Sequence, residues 1–240
     1  MRTTTGSKPF TPSLSLHKIL LRMPFNLIYK YYDNNHSQFG SLHVINEDRV
    51  APHTGFSTHS HHEFEISSYI VTGELEHKDS MGNVEVLKRG DLQLTSSGTG
   101  ISHSEKAHGS KQVHFLQIWS LPSVSHLQPN TSQKRDVWAC IIALSTRGLQ
   151  SPLTLYATLL SDSESLNQTI KGSKGTSTLC RQRIQRQGCD RCCHQGHRGI
   201  GIEVELKEGD GAYLHFDKGG ELTVENTGDK MAEVLLFNLD

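Results

Sequence analysis

Short apolar runs separated by glycine-containing turns dominate the chain between about residues 42 and 121. The runs FEISSYIV and VHFLQIWSL are rich in β-branched and aromatic residues, and they end at Gly73 and Pro122. Tight turns such as DSMGN (79–83) and SSGTG (96–100) separate further runs. No helical period is convincing in this part of the chain. Strands at short, regular spacing with glycine-rich turns predict an all-β barrel or sandwich.

A second group of apolar runs predicts a second β-unit. SPLTLYATLL (151–160) is followed, after an interval, by IGIEVELKEGDGAYLHF and GELTVENTGDKMAEVLLFNL. The segments LKRGDLQL (87–94) and LKEGDGAYL (206–214) both contain Leu-Lys, a Gly-Asp turn and an apolar strand, which indicates duplication of one β-unit. We therefore predict two β-barrels that pack against each other, with a connection over residues 123–150.

Residues 172–199 interrupt this pattern. They contain five Arg and four Cys, and only Leu179 and Ile184 are larger aliphatic residues. We predict a disordered or mistranslated loop here, between compensating frame shifts or at a misassigned exon junction. Such a loop would leave the second barrel short of a strand or two, with exposed edges that invite aggregation.

Zinc binding is a second interpretation of this segment. The donors would be Cys189, Cys192, Cys193, His194 and His197. Their spacing is too cramped for a zinc finger, which needs an intervening loop to complete a tetrahedron. A local nucleic-acid patch made by the five arginines is a third and weaker interpretation.

Composition limits the classes of function. A chain of 240 residues fits one large domain or two small ones, and its net charge of −1 gives no sign of nucleic-acid binding. No apolar run approaches the roughly 18 residues of a membrane span. Lys18, Arg22 and Pro24 interrupt the amino-terminal apolar stretch, which makes it a poor signal peptide. Five cysteines without a disulfide framework predict a reducing, intracellular compartment.

Two pairs of polar residues have the spacing of a metal site on β-strands. Side chains at positions i and i+2 of a strand share one face, so His59 and His61 in THSHHEFE point the same way. His103 and Glu105 in GTGISHSE repeat this spacing. Two such pairs on different strands of a barrel can converge on one interior point. Three neutral imidazoles and a carboxylate suit a divalent transition metal and leave the open positions that a reacting metal needs.

Chance is the competing explanation. With 15 His in 240 residues, one His-x-His pair is expected about once in the chain, and such a pair is more often solvated surface. A His-x-Glu pair alone is weaker still. Both pairs occur at strand spacing, one after a corner and one after a Gly-x-Gly turn. From these residues alone the metal site and the solvated surface both stay open.

The stretch TGFSTHSHHEFEISSYIVTGELEHKDSMGNVEVLKRGDLQLTSSGTGISHSE resembles the pirin family of the cupin superfamily. The resemblance runs from about residue 39 to residue 122 and resumes at residue 151. Pirins are bicupins, in which two β-barrels lie face to face and only the amino-terminal barrel holds a metal. The resemblance thus implies a diverged segment over 1–38, a metal-binding cupin over 39–122 and a cupin-like domain over 151–240.

The resemblance assigns the metal ligands to His59, His61, His103 and Glu105. Iron, as Fe(II), is the metal usually associated with the family, although Cu, Ni, Mn or Zn suit the same donors. Glu65 would stand on the same strand face, beside the metal without binding it, and would orient a ligand or line the pocket. His62 should face away. The carboxy-terminal half has no matching set of ligands.

Three hypotheses of function follow from the resemblance. Several pirin-like proteins behave as quercetin 2,3-dioxygenases, in which the metal acts as a Lewis acid on a flavonol that reacts with O₂. Glu105 would then also serve as the base for the flavonol 3-hydroxyl. Animal pirin is instead described as a nuclear, iron-dependent transcriptional co-regulator with protein partners. The third hypothesis is a decayed or misassigned inactive member, because residues before Tyr31 and residues 172–199 depart from the family pattern.

The expected setting is the cytoplasm, the nucleus or both. We expect a monomer, since the family's two barrels cover one another. The expected small-molecule partner is a flavonol-like aromatic together with O₂. We expect no direct contact with nucleic acid and none with a membrane.

Overall fold

The computed structural model describes residues 38–134, 142–143, 153–170, 176–184, 193–196, 202–204, 206, 211–216 and 220–239. Every regular element within these ranges is a β-strand, so the predicted all-β fold is confirmed. Among these residues there is no helix with the length and hydropathy that a membrane span requires. The expected diverged segment at 1–38 lies almost wholly outside them, and the domain bounds stay predictions.

Eighteen strands occupy the described part of the chain. They are β1 (Leu42–Val50), β2 (Gly55–His61), β3 (Glu65–Thr72), β4 (Glu74–Asp79), β5 (Val84–Lys88), β6 (Leu92–Ser96), β7 (Ile101–Ala107), β8 (Val113–Ser120), β9 (Asn130–Lys134), β10 (Ile142–Ala143), β11 (Leu153–Leu160), β12 (Ser165–Ile170), β13 (Thr176–Ile184), β14 (Cys193–Gly196), β15 (Ile202–Val204), β16 (Gly211–Phe216), β17 (Gly220–Glu225) and β18 (Ala232–Leu239).

These strands form two units, each with one five-stranded and one four-stranded sheet. Strands β1–β9 make the amino-terminal unit, with sheet orders β1-β8-β3-β6-β9 and β2-β7-β4-β5. Strands β10–β18 make the carboxy-terminal unit, with orders β10-β11-β18-β13-β16 and β12-β17-β14-β15. The predicted pair of β-units is therefore present. Each unit is a jelly-roll-like sandwich of two sheets rather than a closed barrel.

The two units share one strand order. Adding ten to each strand number turns β1-β8-β3-β6 into β11-β18-β13-β16, and β2-β7-β4-β5 into β12-β17-β14-β15. The matching segment 87–94 leads from β5 into β6, and its counterpart 206–214 leads from β15 into β16. This agreement of topology supports the duplication that the sequence indicated.

The irregular segment contributes two strands to this pattern. β13 takes the place that β3 has in the first unit and pairs antiparallel with both β16 and β18. β14 takes the place of β4 and pairs with β15 and β17. The expectation of a loop and of missing strands is wrong for these residues, because the ladder bonds come from the backbone and do not require an apolar pattern. Cys189, Cys192 and His197, from the zinc interpretation, lie outside the described residues.

Three buried apolar clusters lie between the four sheets. The first lies between the two sheets of the amino-terminal unit and includes Val50, Ile70, Leu75, Leu87, Ala107, Val113 and Phe115. The second lies between the sheets of the carboxy-terminal unit and includes Leu160, Leu214, Leu222, Val224, Val234 and Leu236. The third, which we call the shared cluster, joins the two five-stranded sheets and includes Tyr69, Val71, Leu116, Ile118, Leu155, Leu235 and Phe237.

The sequence of strand β18 is almost continuously apolar because the strand lies between two apolar clusters. Val234 and Leu236 face the cluster inside the carboxy-terminal unit, whereas Leu235, Phe237 and Leu239 face the shared cluster. Alternate residues of a strand point to opposite faces, so a strand between two apolar layers needs apolar residues at nearly every position. The shared cluster thus accounts for the predicted packing of one unit against the other.

Glu233 makes polar contacts across the boundary between the units. The Tyr69 hydroxyl donates a hydrogen bond to Glu233 Oε1 at 2.8 Å, and Arg89 Nη2 lies 3.6 Å from Glu233 Oε2. Glu233 is only 4% exposed, so its carboxylate is largely removed from water. The contact fixes β3 of the first unit against β18 of the second.

Candidate metal centre

Strands β2 and β7 of the four-stranded sheet carry the candidate ligands. β7 alternates, with Ile101, His103, Glu105 and Ala107 buried and the residues between them less buried. β2 pairs antiparallel with β7 and places His59 directly opposite His103. Directly opposed residues on neighbouring strands have Cβ atoms about 5 Å apart, so their side chains can share one site. The pairing register therefore brings the two motifs of the sequence together.

Three histidine rings converge on the inner face of this sheet. One ring nitrogen from each of His59, His61 and His103 lies within 4.8 Å of the other two. The Nε2 atoms of His103 and His59 are 3.1 Å apart. Two imidazole nitrogens that bind one ion at about 2.1 Å each lie roughly 3 Å apart when the bond angle is near a right angle. The spacing of the cluster thus suits a common metal ion.

The Nε2 atom of His61 gives a second test of this fit. It is buried and has no hydrogen-bond partner among the residues that the structure describes. Buried polar atoms without a partner are rare in folded proteins, and each calls for an explanation such as a bound ion. Three imidazoles also form a donor set that divalent first-row metals accept. The cluster is therefore a potential binding site for a divalent metal.

The hydrogen bond of His59 fixes which of its nitrogens faces the cluster. His59 Nδ1 lies 2.8 Å from the carbonyl oxygen of Ser57. Because a carbonyl only accepts, Nδ1 carries the proton and Nε2 of the neutral ring keeps its lone pair. A backbone carbonyl is a common partner for the second nitrogen of a metal-binding histidine.

Burial keeps two of the rings neutral. It lowers the pKa of His61 from 6.5 to about 4, with smaller contributions from His59 and His62. It lowers the pKa of His103 from 6.5 to about 3, and the neighbouring histidines add to the shift. Neutral imidazole is the form that binds metals, so neither ring needs to lose a charge-carrying proton near neutral pH.

Glu105 is adjacent to the cluster but outside the group of three. Its carboxylate is 1% exposed and accepts hydrogen bonds from Ser68 Oγ at 3.0 Å and from Gln117 Nε2 at 2.8 Å. Burial raises the pKa of Glu105 to about 7, and the charge of Asp48 adds to the increase. The structure brings together three of the four predicted ligands and places the fourth on the same face of β7.

Glu65 lies elsewhere than the sequence spacing suggested. β2 ends at His61 and β3 begins at Glu65 in the other sheet, with Glu63 at a φ of 59° between them. The assumed common strand face for Glu65 and the two histidines therefore does not exist. Glu65 Oε1 accepts a hydrogen bond from Ser96 Oγ at 3.0 Å, on the face of β3 opposite Ser68. Its role beside the metal stays a prediction.

Sequence reasoning missed His77. This residue on β4 is fully buried, and its Nε2 lies 3.0 Å from Nδ1 of His103. Burial lowers the pKa of His77, which keeps the ring neutral. The signal was available in the alternation of β4, where Leu75 and His77 are the two buried positions. The single histidine in GELEHKD does not predict a metal site because, unlike in the two motifs, no second histidine or glutamate lies two residues away.

An aromatic wall continues from His61 away from the cluster. The Trp119 ring lies 4.8 Å from the His61 ring, centroid to centroid, and the Phe64 ring lies 5.4 Å from Trp119. Trp119 Nε1 donates to Gln117 Oε1 at 3.1 Å, which leaves the Gln117 amide nitrogen to donate to Glu105. One hydrogen-bonded chain thus joins the aromatic wall to the buried carboxylate.

The raised pKa of Asp48 predicts an unusual pH dependence of the free energy of unfolding. Burial, with help from the charge of Glu47, raises the pKa of Asp48 from 3.8 to about 6. The folded protein therefore binds this proton more tightly than the unfolded chain, and the resulting stabilisation is full below about pH 4 and lost above about pH 6. We expect Asp48→Asn to stabilise the protein above about pH 6, by up to about 3 kcal/mol, and to have little effect below about pH 4.

Urea unfolding of wild type and Asp48→Asn at both ends of this pH range measures the difference. Asp229→Asn, an exposed aspartate of the other unit, is the control for loss of one charge. An equal difference in free energy of unfolding at both pH values would contradict the buried-carboxylate explanation.

Comparison with known proteins finds relatives of the part of the chain that carries this arrangement. Residues 9–120 match the Pirin family model. Quercetin 2,3-dioxygenase of Escherichia coli is 42% identical over 106 residues, which are 44% of this chain and 46% of that protein. The matched stretch thus spans a little less than half the length of this curated relative.

Solved structures resemble the chain over more of its length. YhhW from Escherichia coli has a TM-score of 0.71 and 27% identity, over 89% of this chain and 87% of that chain. The bacterial pirin YhhW in complex with nickel(II) has a TM-score of 0.69 and 28% identity, over 89% and 88% of the two chains. The chain thus carries a stretch, residues 9–120, that matches the Pirin family model, and it shares its fold with a bacterial pirin.

Proposed function

We propose that the protein is a metal-dependent dioxygenase that acts on flavonol-like aromatic compounds. The observation that carries this proposal is the convergence of His59, His61 and His103 on the inner face of the amino-terminal unit. The relative named quercetin 2,3-dioxygenase supports the reaction class, although it matches only part of the chain. The proposed metal is Fe(II), and nickel(II) is the alternative that the related structure suggests.

The three histidines would hold the metal through one ring nitrogen each, and Glu105 would be the fourth ligand. A bound divalent metal would supply Lewis acidity toward the flavonol oxygen and a site at which O₂ and the substrate meet. The protein's part is to keep the His61 and His103 rings neutral and to fix the orientation of the His59 ring. Burial and the bond from His59 Nδ1 to the Ser57 carbonyl both serve that end.

Glu105 has the properties of a general base for the flavonol 3-hydroxyl. Burial raises the pKa of the Glu105 carboxyl, so it takes a proton more readily than an exposed carboxylate does. Ser68 and Gln117 donate to its two oxygens and fix the plane of the carboxylate. The proton would move from the substrate oxygen to a Glu105 oxygen, leaving the anionic form of the flavonol.

Trp119 and Phe64 offer a face for a planar ring system next to His61. Aromatic rings favour stacked or edge-to-face contacts at centroid distances of about 4.5–7 Å, which a flavonol could make with this wall. The substrate would then lie between the wall and the histidine cluster. This placement accounts for the choice of an aromatic substrate over a small aliphatic one.

Oxygen uptake with quercetin tests the proposal. Wild type reconstituted with Fe(II) or Ni(II) is expected to consume O₂ with quercetin, and metal-stripped protein is not. Glu105→Gln is expected to lower kcat by roughly 100-fold or more, because an amide cannot act as the base. Glu221→Gln, an exposed glutamate on β17, the counterpart of β7, is the matched control and should leave the rate unchanged.

If the metal-loaded protein consumes no O₂ with quercetin or related flavonols, the enzymatic proposal is wrong. That outcome would favour the non-catalytic, metal-dependent binding protein, and a search for its protein partner would follow. Wild type that takes up no metal would favour the inactive copy. Residence in the cytoplasm or the nucleus is part of the proposal. It rests on the cysteine pattern and, for the nucleus, on the resemblance to animal pirin.

A further inference from the structure

A buried ring behind the cluster has no role in the proposed reaction. His77 is 0% exposed and contacts His103 on the side away from His59, with His77 Nε2 3.0 Å from His103 Nδ1. Its other nitrogen, Nδ1, is buried and has no hydrogen-bond partner among the described residues. A fully buried, polar ring whose Nδ1 has no partner among the described residues requires an explanation.

The distances define a chain of rings in which each bond holds one proton. His77 Nε2 meets His103 Nδ1, His103 Nε2 meets His59 Nε2 at 3.1 Å, and His59 Nδ1 meets the Ser57 carbonyl. His59 carries its proton on Nδ1, because the carbonyl can only accept. Without a metal, both ring-to-ring bonds form when His103 donates from Nε2 to His59 and His77 donates from Nε2 to His103.

Metal binding requires the opposite arrangement at His103. Its Nε2 must present a lone pair, so the proton of the neutral ring resides on Nδ1. That Nδ1–H needs an acceptor, and His77 Nε2 is at hydrogen-bonding distance. His77 then carries its own proton on Nδ1. Each ring keeps one proton in both states, and only the nitrogen that bears it changes.

We propose that His77 is a positioning residue that accepts the Nδ1–H bond of His103 and so commits His103 Nε2 to the metal. Outer partners of this kind are typically carboxylates, carbonyls or water, and their removal typically weakens metal binding by about 10- to 100-fold. A neutral imidazole differs from these partners because it can accept or donate. His77 therefore supports His103 both with and without the metal. The inference rests on the metal site of the proposed function but not on the dioxygenase reaction.

Zinc affinity of the full chain provides the first test, because Zn²⁺ needs no substrate and no redox chemistry. His77→Phe removes the acceptor at similar size and is expected to weaken Zn²⁺ binding by about 10- to 100-fold. His77→Gln keeps an acceptor and is expected to restore affinity to within a few-fold of wild type. His114→Gln is the control for replacing a buried histidine, because His114 bonds Glu47 and Arg49, away from the cluster.

The nitrogen that carries each proton provides the second test and needs no variant. In protein with ¹⁵N-labelled histidine, long-range ¹H–¹⁵N spectra distinguish Nδ1–H from Nε2–H. We expect His103 and His77 both to change from Nε2–H to Nδ1–H when Zn²⁺ is added. A purely structural His77 would not change, so unchanged spectra of a zinc-loaded protein overturn the inference even if His77→Phe fails to fold.

The remaining outcomes separate the two proposals. Wild type that binds no Zn²⁺ overturns the metal site and this inference together. If wild type binds Zn²⁺ and a folded His77→Phe binds it with equal affinity, the inference about His77 is wrong and the metal site stands. Thermal unfolding of each variant shows whether it is folded before affinity is compared.

Discussion

The double variant His59→Ala/His103→Ala is expected to contain no transition metal, whereas wild type carries about one ion per chain. The two residues face each other across β2 and β7, and their Nε2 atoms are 3.1 Å apart. Removing both leaves His61 as the remaining imidazole of the cluster, and one imidazole with one carboxylate cannot retain the ion through purification. The loss of metal affinity should exceed roughly 100-fold, which is the upper end of the loss seen when a residue that hydrogen-bonds a metal ligand is removed.

Inductively coupled plasma mass spectrometry on purified protein measures this difference. The matched control is His62→Ala/His108→Ala, which removes two exposed histidines and leaves the cluster intact. The control should hold as much metal as wild type. Equal metal content in wild type and in the cluster variant would show that the ion binds elsewhere, and would remove the basis of the proposed function.

The second large effect concerns the layer between the two units. Phe237→Ala is expected to lower the free energy of unfolding by about 3–5 kcal/mol, because it leaves a cavity where a fully buried ring was. Phe237 is 0% exposed and lies in the shared cluster, opposite Leu155 on β11. The surrounding side chains come from both five-stranded sheets, so neither unit can relax into the space alone.

Urea unfolding monitored by far-ultraviolet circular dichroism gives the free energy and the slope of the transition. Met231→Ala is the control, since Met231 is 54% exposed and immediately precedes β18. It should change stability by less than about 0.5 kcal/mol. A loss of less than about 1 kcal/mol in Phe237→Ala would mean that the shared cluster contributes little, and that the units are joined chiefly by polar contacts.

The fold could be predicted from sequence where the pattern of apolar residues was strong. The runs of β3, β8 and β18 were clear because their strands lie between two apolar layers, and the repeat of Leu-Lys and Gly-Asp marked equivalent turns. Strands β13 and β14 were missed because the segment that contains them, residues 172–199, is poor in apolar residues and has no such pattern. Their place in the sheets is set by neighbours on both sides, which local sequence does not reveal.

The candidate site could be predicted only in part for a similar reason. His59, His61 and His103 could be proposed as candidate ligands from their spacing, because strand alternation fixes which residues share a face. Glu65 was misplaced because a left-handed residue at Glu63 ends one strand and lets the next begin in another sheet. His77 was overlooked because its importance lies in a contact between strands, and such contacts depend on pairing register.

Strand β3 links the boundary between the units to the candidate metal centre. Tyr69 bonds Glu233 of the carboxy-terminal unit on one face, and Ser68, the preceding residue, bonds Glu105 on the other. β8 and β6 hold β3 on both sides, so a small shift of the strand alters both bonds together. We therefore expect thermodynamic linkage between the carboxy-terminal unit and the site. A double-mutant cycle between Glu233 and Glu105 would report this linkage as a coupling free energy.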